Sequence, residues 1–339
     1  MFVQRFRMAV MAVALMAIGV VAEAVEEELS LEVERLDPAL DELVSPEAML
    51  EKKGEGFAWA EGPVWNRQER YLLFSDVPNN LVNKFQERKG LSLFLRPSGY
   101  TGKKAIEHPQ GSNGLVYDPQ GRLVLCQHGD RRIARLEGTN KFVTLAAKYQ
   151  GKRLNSPNDA VYHSNGDLYF TDPPYGLAEG EDDPERDLPF CGVYRLDKKG
   201  KLTLLAADMT RPNGIAFSPD EKRLYVAQSD PDEPIIRVFD VKDDGTLAHG
   251  RVFFDAAELA KDKNNKGLPD GLKVDDKGNL FATGPGGVLV ISPDGKHLGT
   301  LRTGVATANC AWGDDGFTLY ITAHKYLLRI KTKTRGAKF

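Results

Sequence analysis

Six segments of the chain share one pattern, in which a carboxylate or carboxamide residue precedes a short apolar run, a polar turn and a second β-like run. Asp, Asn, Pro and Gly supply the turns, so each segment is predicted to form a β-hairpin. The segments are EGPVWNRQERYLLFSD from Glu61, NGLVYDPQGRLVLCQH from Asn113, NDAVYHSNGDLYFTD from Asn158, NGIAFSPDEKRLYVAQ from Asn213, DGLKVDDKGNLFATG from Asp270 and NCAWGDDGFTLYITA from Asn309. A chain that repeats one hairpin six times is restricted to a repeat architecture.

The spacing of these segments identifies that architecture. They begin 39 to 57 residues apart, and repeats of about 40 to 50 residues with four strands each are typical of β-propeller blades. Third strands are visible as IARLEG, GVYRLD, IRVFDV, VLVISP and LLRIKT, and outer strands as KFVTLAA, KLTLLAA, RVFFDAA and KHLGTLR. The sequence therefore predicts an all-β fold, a six-bladed β-propeller with four strands per blade.

The two ends of the repeat region predict how the ring closes. Beyond Asn309 there is room for three strands only, which leaves the last blade one strand short. The segment AMLEKKGEGFAWAEG stands before Glu61 where other repeats have an outer strand. We therefore expect residues near 48–53 to pair in the blade of Asn309, because a propeller closed by its N-terminal strand has no open edge. Residues 25–339 are predicted to form this single domain.

The N-terminal residues have the pattern of a secretory signal peptide. Arg5 and Arg7 precede an almost wholly apolar run from Met8 to Val21, and Ala22-Glu23-Ala24 follows as a small-residue cleavage site. The apolar run is short for a membrane span. We expect residues 1–24 to be removed, which predicts a periplasmic or secreted protein without a membrane partner. An uncleaved N-terminal anchor is the alternative.

Charge and cysteine content restrict the classes of partner. Lys and Arg number 45 against 48 Asp and Glu, a formal net charge of −3, which argues against a nucleic-acid partner because such proteins need a basic face. Cys126, Cys191 and Cys310 are odd in number, and their spacing suits neither a zinc cluster nor a disulfide framework. We expect them to be small buried hydrophobes, with one bridged pair left open as an alternative.

The polar residue that begins each segment, here called its head, is predicted to lie at the channel. The innermost strand of each blade lines this channel, so the six heads should converge and bring two carboxylates and four amide oxygens together. Such oxygen ligands suit a hard cation, above all Ca²⁺, with other divalent cations as alternatives. An Asn or Asp in one copy is more simply a turn residue, but six copies in register favour a metal site. The heads are Glu61, Asn113, Asn158, Asn213, Asp270 and Asn309.

Several of these motifs are also familiar in combination. EGPVW, SPND, FTDPPYG, RPNGIAFSPD and PDGLKVD together resemble the superfamily of gluconolactonases, senescence marker proteins (regucalcin) and diisopropyl-fluorophosphatases. CQHGDRRIARL is most similar to the bacterial gluconolactonase branch. The resemblance spans roughly residues 35–332. It implies a six-bladed propeller with a catalytic Ca²⁺ in the channel, and hydrolysis of a lactone or ester-like bond.

The resemblance also implies a ligand set. The metal ligands of the family correspond to Glu61, Asn158, Asn213 and Asp270, although some branches assign the asparagine at Asn158 to the substrate. Asn113 matches the repeat but is less consistently a ligand, and we take it as a substrate-binding candidate. Asn309 also matches the repeat and is likewise less consistently a ligand in the family. The acidic insertion EGEDDPERD, residues 179–187, lies outside the motifs and receives no role.

Two residues are candidates for activating the attacking water. The resemblance implies a base at Asp270, and a carboxylate beside a cation is well placed for this role. A metal-bound carboxylate is a weak base, however, so another group remains possible. His128 follows the second strand of its repeat and is that second candidate, although a lone histidine is more often structural.

Three further residues are candidates for substrate binding. Asp159 adjoins Asn158 and is expected to hold water or orient a ligand. Arg131, beside Arg132, is expected to bind an acidic sugar or a carboxylate, with a solvated turn as the alternative. Tyr175 in DPPYG is expected to shape the pocket wall.

Together these expectations predict Ca²⁺-dependent hydrolysis of a sugar lactone by an activated water. Propeller folds host many functions, so two alternatives stay open. One is an exported binding module with structural calcium and no activity, and the other is a hydrolase of another ester or of a phosphotriester. Two carboxylates at the axis favour catalysis, because apolar side chains fill a purely structural channel equally well. The sequence leaves the particular lactone and the oligomeric state undetermined.

Overall fold

The computed structural model describes residues 29–103 and 110–337. Its strands form six antiparallel sheets of four or five strands, and these are the six blades of a β-propeller, which confirms the predicted fold class. The predicted signal peptide, residues 1–24, lies outside the described residues.

Each of the first five blades is built from four consecutive strands, ordered from the innermost to the outer side. Blade 1 contains Ala60–Asn66, Tyr71–Asp76, Leu81–Gln86 and Gly90–Leu95, and blade 2 contains Ser112–Tyr117, Leu123–Gln127, Arg132–Gly138 and Lys141–Ala146. Blade 3 contains Ala160–Tyr162, Leu168–Asp172, Cys191–Leu196 and Leu202–Met209, and blade 4 contains Pro212–Phe217, Arg223–Asp230, Glu233–Val241 and Leu247–Asp255. Blade 5 contains Leu272–Val274, Leu280–Gly284, Gly287–Ile291 and His297–Arg302. Blade 6 begins with Thr307–Gly313, Thr318–Ala323 and Tyr326–Lys331.

Two strands from the N-terminal part of the chain lie at the outer edges of the last two blades. Glu51–Glu55 pairs with Tyr326–Lys331 as the fourth strand of blade 6, where the sequence predicts pairing by residues near 48–53. Glu32–Arg35 pairs with His297–Arg302 and makes blade 5 five-stranded. The prediction of four strands in every blade is therefore wrong for blade 5. The extra strand has no hairpin partner in sequence, and it satisfies backbone groups at an otherwise open edge.

Few other elements are present among the described residues. A small hairpin joins Lys148–Tyr149 to Lys152–Arg153. The short helical turns are Pro38–Glu42, Gly180–Asp182 and Ala257–Ala260. No helix within residues 29–103 and 110–337 has the length and apolar character needed to cross a bilayer. All three cysteines are buried and unbridged, as the sequence predicts.

The hydrophobic core lies between neighbouring blades. The second strand of each blade is buried along almost its whole length on both faces, so its side chains pack against the blades on either side. Val124 of blade 2, for example, lies in one cluster with Phe170 and Tyr194 of blade 3. Each large apolar side chain that is buried in this way contributes about 1.5–3 kcal/mol. The interblade packing fixes the angle at which the innermost strands meet the axis.

Glycines that follow the heads permit these strands to approach one another. A Cβ atom at such a position would overlap the backbone of the next blade, at distances that real Cβ atoms do not reach. The overlaps are Gly62 with Asn113 O at 2.1 Å, Gly114 with Asn158 O at 2.6 Å and Gly214 with Asp270 O at 2.2 Å. The small residue in most of the sequence repeats is thus required by the crowding at the axis.

Hydroxyl groups of second strands fix adjacent blades to each other. Ser75 Oγ of blade 1 donates a hydrogen bond to the carbonyl of Asn113, the head of blade 2, at 2.7 Å. Thr171 Oγ1 of blade 3 does the same to the carbonyl of Asn213, the head of blade 4, at 2.7 Å. These bonds hold the backbone of one head in register with the preceding blade.

The crowding at the axis yields a first prediction. Gly214→Ala should lower the free energy of unfolding by about 1–3 kcal/mol, because an inserted methyl group must displace rigid backbone. Urea denaturation followed by circular dichroism measures this change. Gly138→Ala is the matched control, since Gly138 is exposed at the end of its strand and a Cβ there meets nothing within 4 Å. Equal stabilities of the two variants would contradict the proposed crowding.

Candidate active site

A cavity of about 530 Å³ lies at the end of the channel where the innermost strands begin. Connections between the outermost and innermost strands, and between second and third strands, surround it. Five of the six heads line this cavity: Glu61, Asn113, Asn158, Asn213 and Asp270. The predicted convergence of polar side chains is therefore present for these five.

The side chain of Asn213 is held in one orientation. Its Nδ2 donates a hydrogen bond to Ser229 Oγ at 2.8 Å, and that hydroxyl in turn donates to Pro269 O at 2.5 Å. The amide oxygen is left buried and has no hydrogen-bond partner among the described residues. A carbonyl oxygen in this state carries the full cost of its lost hydration. These hydrogen bonds therefore leave the amide oxygen of Asn213 available to a ligand in the cavity.

Two other oxygen atoms of the cavity are in the same state. Asn113 Oδ1 and Asp270 Oδ1 are both buried without a partner in the described part of the chain. Buried polar atoms in native proteins are nearly always paired. Three unpaired oxygens in a single cavity indicate a ligand that is electron-poor, either a cation or a hydrogen-bond donor.

The two carboxylates of the cavity destabilise each other when both are ionised. Burial, followed by the charge of Asp159, raises the pKa of Glu61 to about 7, against an opposing hydrogen bond from Gly62 N. Burial, then the charge of Glu61 and that of Asp159, raises the pKa of Asp270 well above its usual range. Buried like charges persist only with a counter-charge or a proton. The electrostatics of the cavity floor therefore favour a bound cation.

The donors that the cavity offers to a metal ion are carboxylate and amide oxygens. Within residues 29–103 and 110–337, no three or more His, Cys, Asp or Glu side chains are grouped so as to hold a metal. A metal in this cavity must therefore take amide oxygens in addition to Glu61 and Asp270. Asn158 and Asn213 line the same cavity and provide them. Carboxylate and amide oxygens are the ligands that Ca²⁺ accepts, so the residues present fit this ion.

Asn309, which is the sixth head, and the neighbouring residue Asp159 do not line the cavity. Asn309 directs Oδ1 to the backbone N–H of Cys310 at 2.8 Å and to Lys273 Nζ at 3.2 Å. Asp159 accepts a hydrogen bond from the N–H of Ala160 at 2.8 Å. The prediction that all six heads share one space therefore fails for Asn309, and Asp159 does not line the cavity where a substrate was expected to meet it. The side chains of Asn309 and Asp159 make their contacts beneath the cavity floor.

His128 and Tyr175 both line the cavity wall. Burial lowers the pKa of His128 to about 4, so its imidazole is neutral at physiological pH. His128 Nε2 has no hydrogen-bond partner within the described residues. The phenol of Tyr175 donates to Ser229 O at 3.3 Å, and burial raises its pKa. Both residues therefore stand where the sequence places them.

Arg131 is not at the cavity, which corrects its assignment to substrate binding. Its Nε donates to the carbonyls of Leu154 and Asn155 at 2.8 and 2.9 Å, and its Nη1 donates to Glu185 O at 2.7 Å. The residue is only 4% exposed. Its guanidinium therefore joins blade 2 to the acidic insertion, and the alternative of a solvated turn is equally wrong.

The arginine that does line the cavity is Arg211, which the sequence reasoning missed. It stands two residues before Asn213, in the connection that leads into a head, and such connections surround the cavity. Its position in this connection was the sequence signal that could have identified Arg211 as a cavity residue. Arg211 Nε donates to Glu181 Oε1 at 2.9 Å, so the acidic insertion reaches the cavity rim. The side chain of Arg211 is 35% exposed, which leaves it accessible to a ligand.

Comparison with known proteins adds independent evidence. The sequence profile described as "SMP-30/Gluconolactonase/LRE-like region" matches residues 59–325. A gluconolactonase of Zymomonas mobilis is 38% identical over 309 residues, which cover 89% of this chain and 86% of that protein. A pentonolactonase of Haloferax volcanii is 24% identical and covers 77% of this chain and 80% of its own length. The solved structure of a gluconolactonase from Xanthomonas campestris superposes with a TM-score of 0.78 at 33% identity, covering 88% of this chain and 94% of that one.

Proposed function

The chain belongs to the SMP-30/gluconolactonase/LRE-like family and is a hydrolase of the lactonase type, and we propose that it hydrolyses a sugar lactone with Ca²⁺ bound in the cavity. Relatives named gluconolactonase, pentonolactonase and 6-deoxy-6-sulfogluconolactonase support this class of substrate. The observation that carries the metal proposal is the set of unpaired oxygens of Asn113, Asn213 and Asp270 beside the buried carboxylate of Glu61.

The proposed ligands are Glu61, Asn158, Asn213 and Asp270. Two carboxylates and two amide oxygens leave further coordination positions for substrate and water, since Ca²⁺ takes six to eight oxygen ligands. Ca²⁺ held by these four residues would supply a Lewis acid for the lactone carbonyl. Besides burial, the charge of Glu61 raises the pKa of Asp270, and the charge of the ion would compensate both carboxylates.

Asp270 is the proposed general base. Asp270 lines the cavity, and its Oδ1 has no partner among the described residues, so it can accept a proton from the water that attacks the carbonyl carbon. The ester C–O bond of the ring then breaks, and the proton passes from Asp270 to the departing ring oxygen. The product is the open-chain hydroxy acid, and no other reactant is needed.

His128 is the second candidate for moving this proton. Its neutral ring presents an unpaired Nε2 atom within the same cavity. A neutral imidazole accepts a hydrogen bond from a sugar hydroxyl equally well, and we assign it this binding role first. Asp270 is preferred as the base because its unpaired oxygen lies among the proposed ligands, where a polarised carbonyl would be held.

The carboxylates of the cavity and its arginine and tyrosine lie on different structural elements, an arrangement that suits a hydroxylated ring. Glu61 and Asp270 lie at the heads of the innermost strands, whereas Arg211 and Tyr175 lie on connecting loops that line the wall. We propose that Arg211 binds hydroxyl or anionic groups of the lactone, the role first expected of Arg131. Asn113 and Tyr175 complete the proposed binding wall.

Purified protein should open aldonolactones at a rate above the spontaneous one, and a strong chelator should abolish this excess. Added Ca²⁺ should restore it. A pH-indicator assay measures the acid released from a panel that also contains an aryl ester and a phosphotriester. Lactone hydrolysis that persists in chelator would remove the metal from the mechanism, and preference for another panel member would change the substrate class.

Asp270→Asn is the test of the base, because it keeps an oxygen ligand and the shape while it removes the charge. At saturating Ca²⁺, kcat should fall by about 10²-fold or more, the usual scale for loss of a general base. His128→Ala should mainly raise KM. An active Asp270→Asn variant together with an inactive His128→Ala variant would reverse the two assignments.

Arg211→Met and Arg131→Met form a matched pair that separates binding from structure. Arg211→Met should raise KM by about tenfold, the value of one lost charged hydrogen bond, with little change in the unfolding midpoint. Arg131→Met leaves three backbone carbonyls without their donor, so it should lower stability and change KM little. Steady-state kinetics and thermal unfolding measure the two effects. A KM change confined to Arg131→Met would restore the original assignment.

A further inference from the structure

Beneath the floor of the cavity lies a second polar layer, formed by Asp159, Asn309 and Lys273. Neither Asp159 nor Asn309 lines the first cavity. Lys273 lines a second cavity of about 240 Å³, which opens farther along the innermost strands and is otherwise surrounded largely by apolar and aromatic side chains. A cationic side chain thus enters the channel from the end opposite to the proposed substrate site.

The ammonium group of Lys273 is surrounded by oxygen atoms. Nζ donates to Leu272 O at 3.0 Å and to Asn309 Oδ1 at 3.2 Å, and it lies 3.8 Å from Asp159 Oδ2. The Asp159 side chain is only 4% exposed, whereas that of Lys273 is 30% exposed. Lys273 therefore keeps contact with solvent at its own end of the channel while its charge reaches a buried carboxylate.

These contacts fix the amide of Asn309. Because its Oδ1 already accepts from Lys273 and from Cys310 N, its Nδ2 must face the carboxylates, 3.5 Å from Asp159 Oδ2. Asn309 also lies close enough to Glu61 to oppose the rise of its pKa. A Cβ at Gly271 would lie 2.0 Å from Asn309 Cγ, so the absence of a side chain at Gly271 leaves the space that the Asn309 amide occupies. Asn309 therefore offers donors, and no free oxygen, to the floor of the cavity.

We propose that Lys273 is a positioning residue, whose charge neutralises Asp159 and orients Asn309, so that Glu61 and Asp270 alone remain to compensate a cation. The channel contains three carboxylates near one another, of which Glu61 and Asp159 are buried. Besides burial, the charge of Asp159 raises the pKa of Glu61 and of Asp270. Without Lys273, the excess negative charge beside the cavity grows by one unit. The identity of the cation as Ca²⁺ rests on the proposed function, whereas the charge balance of Asp159 and Lys273 does not.

Lys273→Met tests this directly, because methionine has a similar length and no charge. Metal-free protein should unfold at a temperature at least about 4 °C lower, since a buried carboxylate loses its counter-charge. The dissociation constant for Ca²⁺ should fall by at least about threefold, because the added negative charge attracts the ion. Differential scanning calorimetry and isothermal titration calorimetry measure these opposite effects. A merely structural lysine would lower stability without strengthening Ca²⁺ binding.

Three further variants sharpen the test. Lys277→Met removes the same charge from an exposed position in the turn after the same strand, and it should leave both quantities nearly unchanged. Asp159→Asn should weaken Ca²⁺ binding. The double variant Asp159→Asn with Lys273→Met restores the net charge, so its Ca²⁺ affinity should return to within about twofold of the parent, and its loss of stability should be smaller than the sum of the single losses.

The outcomes separate this inference from the proposed function. If the parent protein binds no Ca²⁺, the proposed metal is wrong, and the stability coupling of the double variant still decides the charge balance. If the parent binds Ca²⁺ but Lys273→Met binds it equally or more weakly, the positioning role is wrong while the proposed function stands. Additive stability losses in the double variant would also overturn the pairing.

Discussion

The structure depends on how closely six innermost strands approach a common axis. At several positions there is no room for a Cβ atom, and the backbone of one blade contacts the head of the next. Glycine at these positions and hydroxyl groups on second strands, such as Ser75 and Thr171, satisfy the resulting contacts. The angle between blades, the width of the channel and the spacing of the heads all follow from this one approach.

The same approach makes the centre of the molecule electrostatically costly. Side chains that point to the axis must share a small volume, in which Glu61 and Asp159 are buried and Asp270 is half-buried with an inaccessible Oδ1 atom. The chain deals with this cost in two ways, because one carboxylate has a lysine at 3.8 Å while the other two face a cavity with unpaired oxygens. A polar centre of this kind lowers the stability of the fold, as functional sites commonly do.

The sequence predicts what is local and periodic, and it fails where distant segments meet. Hairpins, their turns and the heads depend on neighbouring residues, so the six blades and five cavity residues were predictable. Glu32–Arg35 joins blade 5 through residues that are distant in the chain, and no hairpin signal marks it. The sequence predicts Arg131 at the cavity and misses Arg211, because the direction of a loop side chain depends on what packs around it. Asp159 and Asn309 were placed in the cavity because a repeat gives the position of a residue and not its depth.

Pairing across the ends of the repeat region bears on how the chain reaches its fold. Glu51 contacts Arg329 across 278 positions, and Glu34 contacts Arg302 across 268. Such contacts stabilise the fold only after most of the chain is ordered, because loop closure must precede them. Blades 1 to 4 can assemble from contiguous hairpins, whereas the outer edges of blades 5 and 6 stay unpaired until the N-terminal strands arrive. Unpaired strand edges associate readily with other chains, so the late steps of folding are those in which this protein is most exposed to aggregation.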